Sequence, residues 1–416
     1  MAENKFGRRL MQRKEVEVEV KNTKARGILA LVFLAIGVVF LAIGVKSCAG
    51  GEPGWRDITS TSGQTNCSSD FVLQYYFPDD DTDLVELNGE VTALYTETTE
   101  KAYKLFHADA PAGNGGLRDI NAKPNETVTV DGDLYAAMTQ ICDAGDRQIY
   151  LAPVLVEYAR VFQSEDAVTA EERDPARNPE LMPYITQLAG YANDPAMIDL
   201  KLLGDNQVQL FVSAEYLAFA QEYELEAYLD FGWMRNAFIC DYIAQKFIDK
   251  GLNRGHLSSY DGFTRVMDGS GEIYGLNLFD RKGNDIYIPA ITQYVGPASL
   301  VFVRNYPLSI SDKWGFYVHA DGTTVHTMID PADGVCKSST DNIMAMSGSK
   351  TCSQMVLELA PVYIADQLDE QALIQLQKQE ILCVWCEDDT LKYTGQLAIR
   401  NNDDGETPIY KIQKAD

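Results

Sequence analysis

The sequence is poor in basic side chains: 35 Lys and Arg stand against 61 Asp and Glu in 416 residues, a formal net charge of −26. The charge is unevenly placed, since residues 1–26 carry eight Lys and Arg against four Glu, or +4, which leaves −30 for the remainder. Nucleic-acid binding needs a basic face, so the composition argues against it. The acidity is typical of a soluble surface, an interpretation that we favour over steering of a substrate.

Familiar catalytic signatures are also lacking. The chain has four His and no zinc-ligand cluster, phosphate-binding P-loop or nucleophile elbow. The glycine-containing stretch 268–275 lacks the G-x-G-x-x-G spacing, and a strand rather than a helix is predicted after it. We therefore predict a hairpin turn there instead of a dinucleotide site.

The eight cysteines are scattered through apolar stretches, which is typical of buried thiols rather than of a disulfide framework. Cys383 and Cys386 have the spacing of a redox motif but lie in a strand pattern. Because side chains alternate along a strand, the two thiols would face opposite sides of a sheet. Buried or half-buried cysteines are therefore predicted.

One long run, residues 27–45, contains no charged residue. A helix of this length spans about 28 Å, enough for the hydrocarbon core of a bilayer. Basic residues cluster before the run and Lys46 is the only charge close behind it, so the N-terminus is predicted in the cytoplasm and the body outside. A cleaved signal peptide is the alternative, but the long basic region and the lack of a clear A-x-A site favour an uncleaved anchor.

These features divide the chain into four segments: a cytoplasmic basic tail (1–26), a transmembrane helix (27–45), a linker (46–68) and an extracytoplasmic domain (69–416). The predicted location is a cell membrane, crossed once. The body is larger than the roughly 250–300 residues that a single hydrophobic core usually serves, so one large or two closely packed lobes are expected.

Apolar residues at helical spacing predict helices at 83–106 and 234–250, whereas alternation predicts a strand at 70–77. Segments 108–126 and 165–182 are predicted to be loops. Further strands mostly follow the helix at 234–250, without regular strand–helix–strand alternation. The predicted class is therefore α+β with mixed helices and antiparallel strands.

Residues 326–334 read H-T-M-I-D-P-A-D-G. The run resembles the H-x-I-D-P-x-x-G signature of the FAD:protein FMN transferase (ApbE-type) family. Segments that resemble further motifs of that family follow the same chain order, at 115–121, 148–158, 230–241 and 352–358. The resemblance covers roughly residues 70–400. It implies a two-lobed ApbE-like body with FAD between the lobes, and an N-terminal membrane or lipid anchor is common in the family.

The resemblance also implies cofactor-binding positions, which are His107, Tyr150, Asp230, Asn236, His326, Thr327 and Asp330. The family's flavin-stacking aromatic would fall near His107 or its neighbour Phe106, and Asn236 replaces a Lys. Two of these residues have simpler interpretations. A strand-end His such as His326 is often hydrogen-bonded to backbone, and Asp330 begins an Asp-Pro-x-x-Gly turn.

The same resemblance places Trp233, Ser353 and Leu357 at the family's Mg²⁺ positions. Mg²⁺ prefers hard oxygen ligands, usually carboxylates. Leu357 supplies no oxygen, Ser353 supplies only a neutral hydroxyl, and Trp233 replaces a Gly where backbone approaches metal and phosphate. A Mg²⁺ site at these positions is therefore expected to be impaired. A shifted ligand set is the open alternative, drawn from Asp241, Asp261 and Glu358.

Flavin transfer attacks a phosphorus of the FAD pyrophosphate and expels AMP, with Mg²⁺ neutralising the charge. The leading hypothesis is a diverged homologue with impaired transfer, which binds FAD or another flavin, or assembles with a flavoprotein or membrane redox complex. Whether the chain is an enzyme stays open. One alternative is an active Mg²⁺-dependent transferase that modifies a Thr or Ser of a membrane redox protein, and another is a ligand-free structural subunit. No D-x-x-[ST]-G-A-T acceptor motif is present, so the chain itself is not expected to carry covalent FMN.

Overall fold

The computed structural model describes residues 52–416 apart from 284, 309–311, 313–314, 403–406 and 416. The predicted basic tail and transmembrane helix lie outside these residues. Within the described part of the chain, no helix has the length and apolar character needed to span a membrane.

The helices of the described residues are α1 (Leu84–Phe106), α2 (Leu117–Asn121), α3 (Gly132–Ala144), α4 (Ala152–Phe162), α5 (Ala167–Arg173), α6 (Met182–Asn193), α7 (Ala214–Glu222), α8 (Arg235–Asp249), α9 (Cys352–Tyr363) and α10 (Glu370–Leu376). Short 3-10 helices lie at Ser68–Asp70, Gln148–Leu151, Gly232–Met234 and Gln377–Gln379.

The strands are β1 (Gly54–Ile58), β2 (Phe71–Phe77), β3 (Thr127–Thr129), β4 (Ile198–Gly204), β5 (Gln207–Val212), β6 (Gly255–Ser259), β7 (Phe263–Val266), β8 (Ile273–Lys282), β9 (Asp285–Val295), β10 (Ala298–Arg304), β11 (Phe316–Val318), β12 (Thr324–His326), β13 (Asn342–Ser347), β14 (Leu382–Glu387), β15 (Thr390–Tyr393), β16 (Ala398–Asn401) and β17 (Lys411–Lys414).

Strands from both ends of the described chain form one large sheet in the order β1-β2-β6-β7-β10-β13-β14-β15-β17. Its neighbouring strands are antiparallel except β15 and β17, which are parallel. Smaller sheets are β3-β5-β4, β16-β9-β8 and the β11-β12 ribbon. Helices and largely antiparallel strands are thus mixed in one body, and the predicted α+β class is confirmed.

Local sequence explains where the first elements begin and end. Along β2 every second residue is buried, as the period of a strand requires. Helix α1 begins where the Asp83 carboxylate accepts the N–H groups of Val85 and Glu86 at 3.0 and 3.1 Å. Helix α3 begins with the same kind of cap on Asp131 and ends at Gly145, whose φ of 64° closes the last turn.

The large sheet carries a hydrophobic core on each face. Helix α8 packs against β6, β7, α1 and α9 on one side. Side chains alternate between the two cores along the central strands: Val301 and Ile343 join the core beneath the helices, whereas Leu300 and Met344 join the core that also contains Leu278 of β8. The large sheet therefore lies between the helices and the sheet β16-β9-β8.

Several connecting segments are more ordered than the sequence predicted. Strand β1 lies within the segment predicted as a linker (46–68) and pairs with β2 along its whole length. Helix α2 interrupts the predicted loop at 108–126, and α5 interrupts the one at 165–182. These elements have five to seven residues each, too few for a clear period.

The prediction of a hairpin turn at 268–275 is wrong. Strand β7, which precedes the segment, pairs with β6 and β10, whereas β8, which follows it, pairs with β9. The segment therefore passes from one sheet to another, a long-range choice that local turn residues do not determine.

The cysteines of the described residues are all free. On β14, Cys383 is buried and Cys386 is half-buried. Cys383 belongs to the core beneath the helices, whereas Cys386 packs against the other core. This confirms buried and half-buried thiols on opposite faces of a strand.

Candidate functional site

A cleft of about 850 Å³ is formed where α4, the start of α8, the β6–β7 turn and the end of β10 meet. One wall is α4, which contributes Ala152, Leu155, Val156, Ala159 and Phe162. Their spacing by three or four residues places most of them on one face of the helix. The result is an apolar wall about 10 Å or more in length.

The segment 230–236, which forms the adjacent part of the lining, is fixed at its start by a side chain from α2. The Oδ1 atom of Asn121 accepts the N–H of Leu229 at 2.8 Å, and its Nδ2 donates to the Leu229 carbonyl at 2.9 Å. The N–H of Asp230 then donates to the carbonyl of Ile149 at 2.9 Å. These bonds determine where the Asp230 side chain enters the cleft.

Gly232 turns the chain into the 3-10 helix that precedes α8. Its N–H donates to the Asp230 carboxylate at 2.7 Å. Its φ of 56° lies in the left-handed region, and an added Cβ would lie 3.0 Å from Leu155 of the facing wall. Conformation and space therefore both favour glycine here.

Other segments that resemble family motifs are joined by hydrogen bonds. Gln148 Nε2 donates to the Ile329 carbonyl at 3.0 Å, and the Tyr158 hydroxyl donates to the Gly334 carbonyl at 3.0 Å. Both bonds connect positions more than 170 residues apart in sequence, 181 and 176 respectively. Segments 148–158 and 326–334 are therefore assembled into one frame beside the cleft.

Several polar side chains of the cleft form pairs with one another. Asn236 Nδ2 donates to the Asp261 carboxylate at 2.9 Å. Arg304 and Asp312 form an ion pair at 3.0 Å, with only 2% and 6% of their side chains exposed. Arg235 lies 3.9 Å from Asp230, a looser and more exposed pair.

Some buried polar atoms in the lining have no hydrogen-bond partner. They are Trp233 Nε1, Arg235 Nε, Asn236 Oδ1 and Arg304 Nε. A buried polar group left unpaired costs about 1–3 kcal/mol, so such groups require a reason. All four belong to residues that line the same cleft. A polar ligand bound there would supply the missing partners.

The structure brings together four of the residues that the sequence predicted for the site. Asp230, Trp233, Asn236 and Thr327 all line the cleft. The first three come from one segment, whereas Thr327 follows β12 and lies more than 90 positions later in the sequence. The prediction that these residues bind a cofactor stays a prediction, but their proximity satisfies its first requirement.

Two other predicted residues do not line this cleft. His107 is buried after the end of α1, with its ring 4.6 Å from that of Tyr103 and its Nδ1 3.7 Å from the Asp109 carboxylate. Burial lowers the pKa of His107, so the ring is neutral near pH 7. Tyr150 is also buried, and its hydroxyl accepts the N–H of Leu200 at 2.9 Å.

Asp330 lies in the turn rather than in the cleft lining. Its carboxylate accepts the N–H of Ala332 at 2.8 Å and pairs with Lys337 at 2.7 Å. Gly334 closes the turn with a φ of 77°, and an added Cβ there would lie 2.7 Å from Ile185 of α6. The turn thus packs closely on α6, in agreement with the simpler interpretation of this motif as part of the fold.

His326 also faces away from the cleft, and the spacing of the motif explains why. The signature H-x-I-D-P places its His three residues before the Asp, whereas His326 stands four residues before Asp330. The third position before Asp330 is Thr327, which does line the cleft. His326 is the last residue of β12, whereas Thr327 lies in the bend that follows, so a shift by one residue moves the side chain from one cavity to the other.

The His326 ring lies instead beside a second, smaller cavity of about 510 Å³ that Arg281 and Asn305 also line. Only 3% of the residue is exposed, and its Nδ1 has no partner. Burial, and then the positive charge of Arg281, lower the pKa of His326 to about 4. The imidazole is therefore neutral at pH 7.

The predicted Mg²⁺ positions on α9 are occupied by groups that do not suit this ion. The Ser353 hydroxyl donates to Gln140 Oε1 at 2.8 Å, and its backbone N–H donates to Asp241 at 2.7 Å. Leu357 belongs to the hydrophobic core, and neither residue lines the cleft. The indole N–H of Trp233 is a donor and binds no cation.

The shifted ligand set is not gathered either. Asp241 caps the start of α9 and pairs with Arg265 at 2.7 Å, while exposed Glu358 lies 3.3 Å from Gln379. In the described part of the chain no three His, Cys, Asp or Glu side chains are grouped as metal ligands would be. The residues present therefore do not fit a protein-built Mg²⁺ site of the kind that the resemblance implies.

Sequence reasoning missed the charged residues Asp70, Arg235 and Arg304, which line the cleft. Arg304 carried a usable signal. It is the only charged residue of the buried strand Ala298–Arg304, and a charge in such a strand needs a buried partner. Asp312 supplies that partner.

Comparison by sequence identifies no relative: no protein-family model matches the chain, and no curated protein matches it. The fold has solved counterparts. The ApbE protein of Thermotoga maritima is similar with a TM-score of 0.54 and 12% identity, over 85% of this chain and 97% of that one. The flavin transferase ApbE of Vibrio cholerae is similar with a TM-score of 0.50 and 11% identity, over 85% of this chain and 98% of that one. The expected ApbE-like fold is confirmed.

Proposed function

We propose that this protein binds a flavin in the cleft, has lost most or all capacity for FMN transfer, and serves a membrane redox system outside the cytoplasm. The single observation that carries the proposal is the cleft itself. Residues from two motif-like segments, 230–236 and 326–334, meet there, and four of its buried polar atoms lack partners. The ApbE-like fold supports a flavin as the ligand.

The side chains in the cleft suit a flat aromatic ring. Phe162, Trp233, Tyr260 and Phe316 supply aromatic faces, and Met328 adds a polarisable thioether. The unpaired Trp233 N–H and Asn236 oxygen offer one donor and one acceptor. The isoalloxazine ring of a flavin carries both kinds of partner at its edge.

The proposed loss of FMN transfer is inferred from the side chains at the positions where the family holds Mg²⁺ and a Lys. Expelling AMP requires stabilisation of charge on the pyrophosphate, and losing one such stabilising group costs about 3 kcal/mol. At the expected positions, Ser353 is engaged with Gln140 and Leu357 has no oxygen to offer. Asn236 replaces the Lys and is engaged with Asp261. A rate loss of at least 100-fold relative to an intact site is expected.

The test incubates the full-length protein, in detergent, with FAD, Mg²⁺ and a peptide that contains a D-x-x-[ST]-G-A-T motif. AMP release and peptide mass report transfer, and quenching of flavin fluorescence reports binding. We expect binding of a flavin, tested with riboflavin, FMN and FAD in parallel, without AMP release. The Trp233→Ala variant, checked for folding by circular dichroism, should lose the binding signal.

Other results would replace the proposal. AMP release together with a flavinylated peptide would establish an active transferase. No binding of any of the three flavins would leave a ligand-free structural subunit. The proposed anchor at 27–45 is tested separately, since an anchored protein stays with membranes during alkaline extraction whereas a variant that lacks residues 1–45 is released.

A further inference from the structure

The charges that line the cleft are predominantly negative. Among the described lining residues, Asp70, Asp230, Asp261 and Asp312 contribute four carboxylates, against two guanidinium groups. The formal balance is −2 with all the carboxylates ionised. The whole chain is acidic too, at −26, so distant residues reinforce this sign.

The two cations are also committed to these carboxylates. Arg304 is buried, pairs with Asp312 at 3.0 Å, and donates to the backbone carbonyls of Asp261 and Tyr260 at 3.3 Å each. Arg235 lies 3.9 Å from Asp230. A pyrophosphate entering the cleft would compete with Asp312 and Asp230 for the same guanidinium groups.

We infer that this cleft selects an uncharged flavin, such as riboflavin, over the dinucleotide FAD, which carries a pyrophosphate. The inference rests on the proposed flavin-binding function and specifies the ligand class for the same site. Aromatic faces and the unpaired Trp233 N–H and Asn236 oxygen serve the ring, whereas the carboxylates oppose the phosphates. The two guanidinium groups of the lining are already paired with Asp230 and Asp312, so they offset the two negative charges of a pyrophosphate only by giving up these pairs.

The experiment is a fluorescence titration of the full-length protein in detergent with riboflavin, FMN and FAD at low ionic strength and without Mg²⁺. Riboflavin should bind at least about tenfold more tightly than either FAD or FMN, because both of these carry about two negative charges that the carboxylates repel. Added salt should bring the affinities for riboflavin and FAD closer together, since screening weakens the repulsion between the carboxylates and the phosphates.

Charge-removing variants locate the cause. In Asp70→Asn the ratio of riboflavin affinity to FAD affinity should fall about threefold or more, while riboflavin affinity itself changes less. Asp79→Asn, which alters an exposed carboxylate outside the lining, is the matched control and should keep the ratio. FAD binding that equals or exceeds riboflavin binding would overturn the inference and leave the flavin-binding function standing. Failure of all three ligands to bind would overturn both.

Discussion

Asn121 holds both backbone groups of Leu229, since its Oδ1 accepts the Leu229 N–H at 2.8 Å and its Nδ2 donates to the Leu229 carbonyl at 2.9 Å. The same oxygen accepts the N–H of Tyr228 at 3.0 Å. Asn121 is 5% exposed, so water does not replace these bonds. One amide thus connects α2 to the segment that carries Asp230 into the cleft.

Replacement of Asn121 by Ala should therefore affect both stability and binding. Three buried bonds are lost and the backbone groups at 228 and 229 stay unpaired, so the free energy of unfolding should fall by about 2–4 kcal/mol. Chemical denaturation measures the loss, and flavin titration at a temperature where the variant is folded should show weaker binding. Asn193→Ala, at an exposed position near the end of α6, is the control. Equal stability of the two variants would contradict the stabilising role of the Asn121 hydrogen bonds.

Trp233 should report and support ligand binding. Its fluorescence should be quenched when a flavin occupies the cleft, and Trp233→Ala should weaken binding about 10- to 100-fold, because a large aromatic contact is lost. Trp233→Phe should retain a larger share of the affinity. The control is Trp55→Phe on β1, outside the cleft lining. Unchanged affinity in Trp233→Ala would exclude this residue from the binding surface.

The neighbours His326 and Thr327 should behave in opposite ways. Thr327→Trp places a large side chain in the cleft and should weaken flavin binding about tenfold or more through lost volume. His326→Leu changes a side chain that lines the other cavity and should leave flavin affinity within about twofold. Titrations of both variants decide the matter. The reverse order would mean that His326 faces the flavin after all.

His326 should also make the fold sensitive to acid. Its pKa is about 4 in the folded state and about 6.5 in the unfolded chain, so the unfolded state binds more protons between these values. Stability therefore falls as the pH is lowered from about 6.5 to about 4, by roughly 3 kcal/mol in total. Denaturation midpoints measured between pH 4 and pH 6.5 should fall less steeply with decreasing pH in His326→Leu than in the unmodified protein. An identical pH dependence in the two proteins would refute the assignment.

The long elements followed closely from the sequence. The predicted helix at 83–106 is Leu84–Phe106, and the predicted strand at 70–77 is Phe71–Phe77. Both carry enough apolar repeats to define a period and have a clear end signal, such as the Asp83 cap. Short elements such as β1 depend on pairing with distant strands, which a local pattern does not contain.

The site was predicted in part, and the division has a physical basis. Asp230, Trp233 and Asn236 lie within one continuous segment, so a correct motif match placed them together. The motif had to be matched to the exact residue at His326, because His326 ends β12 and lines one cavity whereas Thr327, in the bend that follows, lines the cleft. Arg304 and its partner Asp312 belong to no motif that the sequence resembled, and their pairing depends on tertiary structure.

Strand β1 lies at the edge of the large sheet and is the strand nearest in sequence to the proposed anchor. With the proposed anchor ending at residue 45, eight residues connect the bilayer to Gly54, and fully extended they would span at most about 30 Å. Because β1 pairs with β2, this connection would lead directly into the sheet. With the proposed anchor, we expect any redox partner of this protein to meet a body that is tethered close to the membrane.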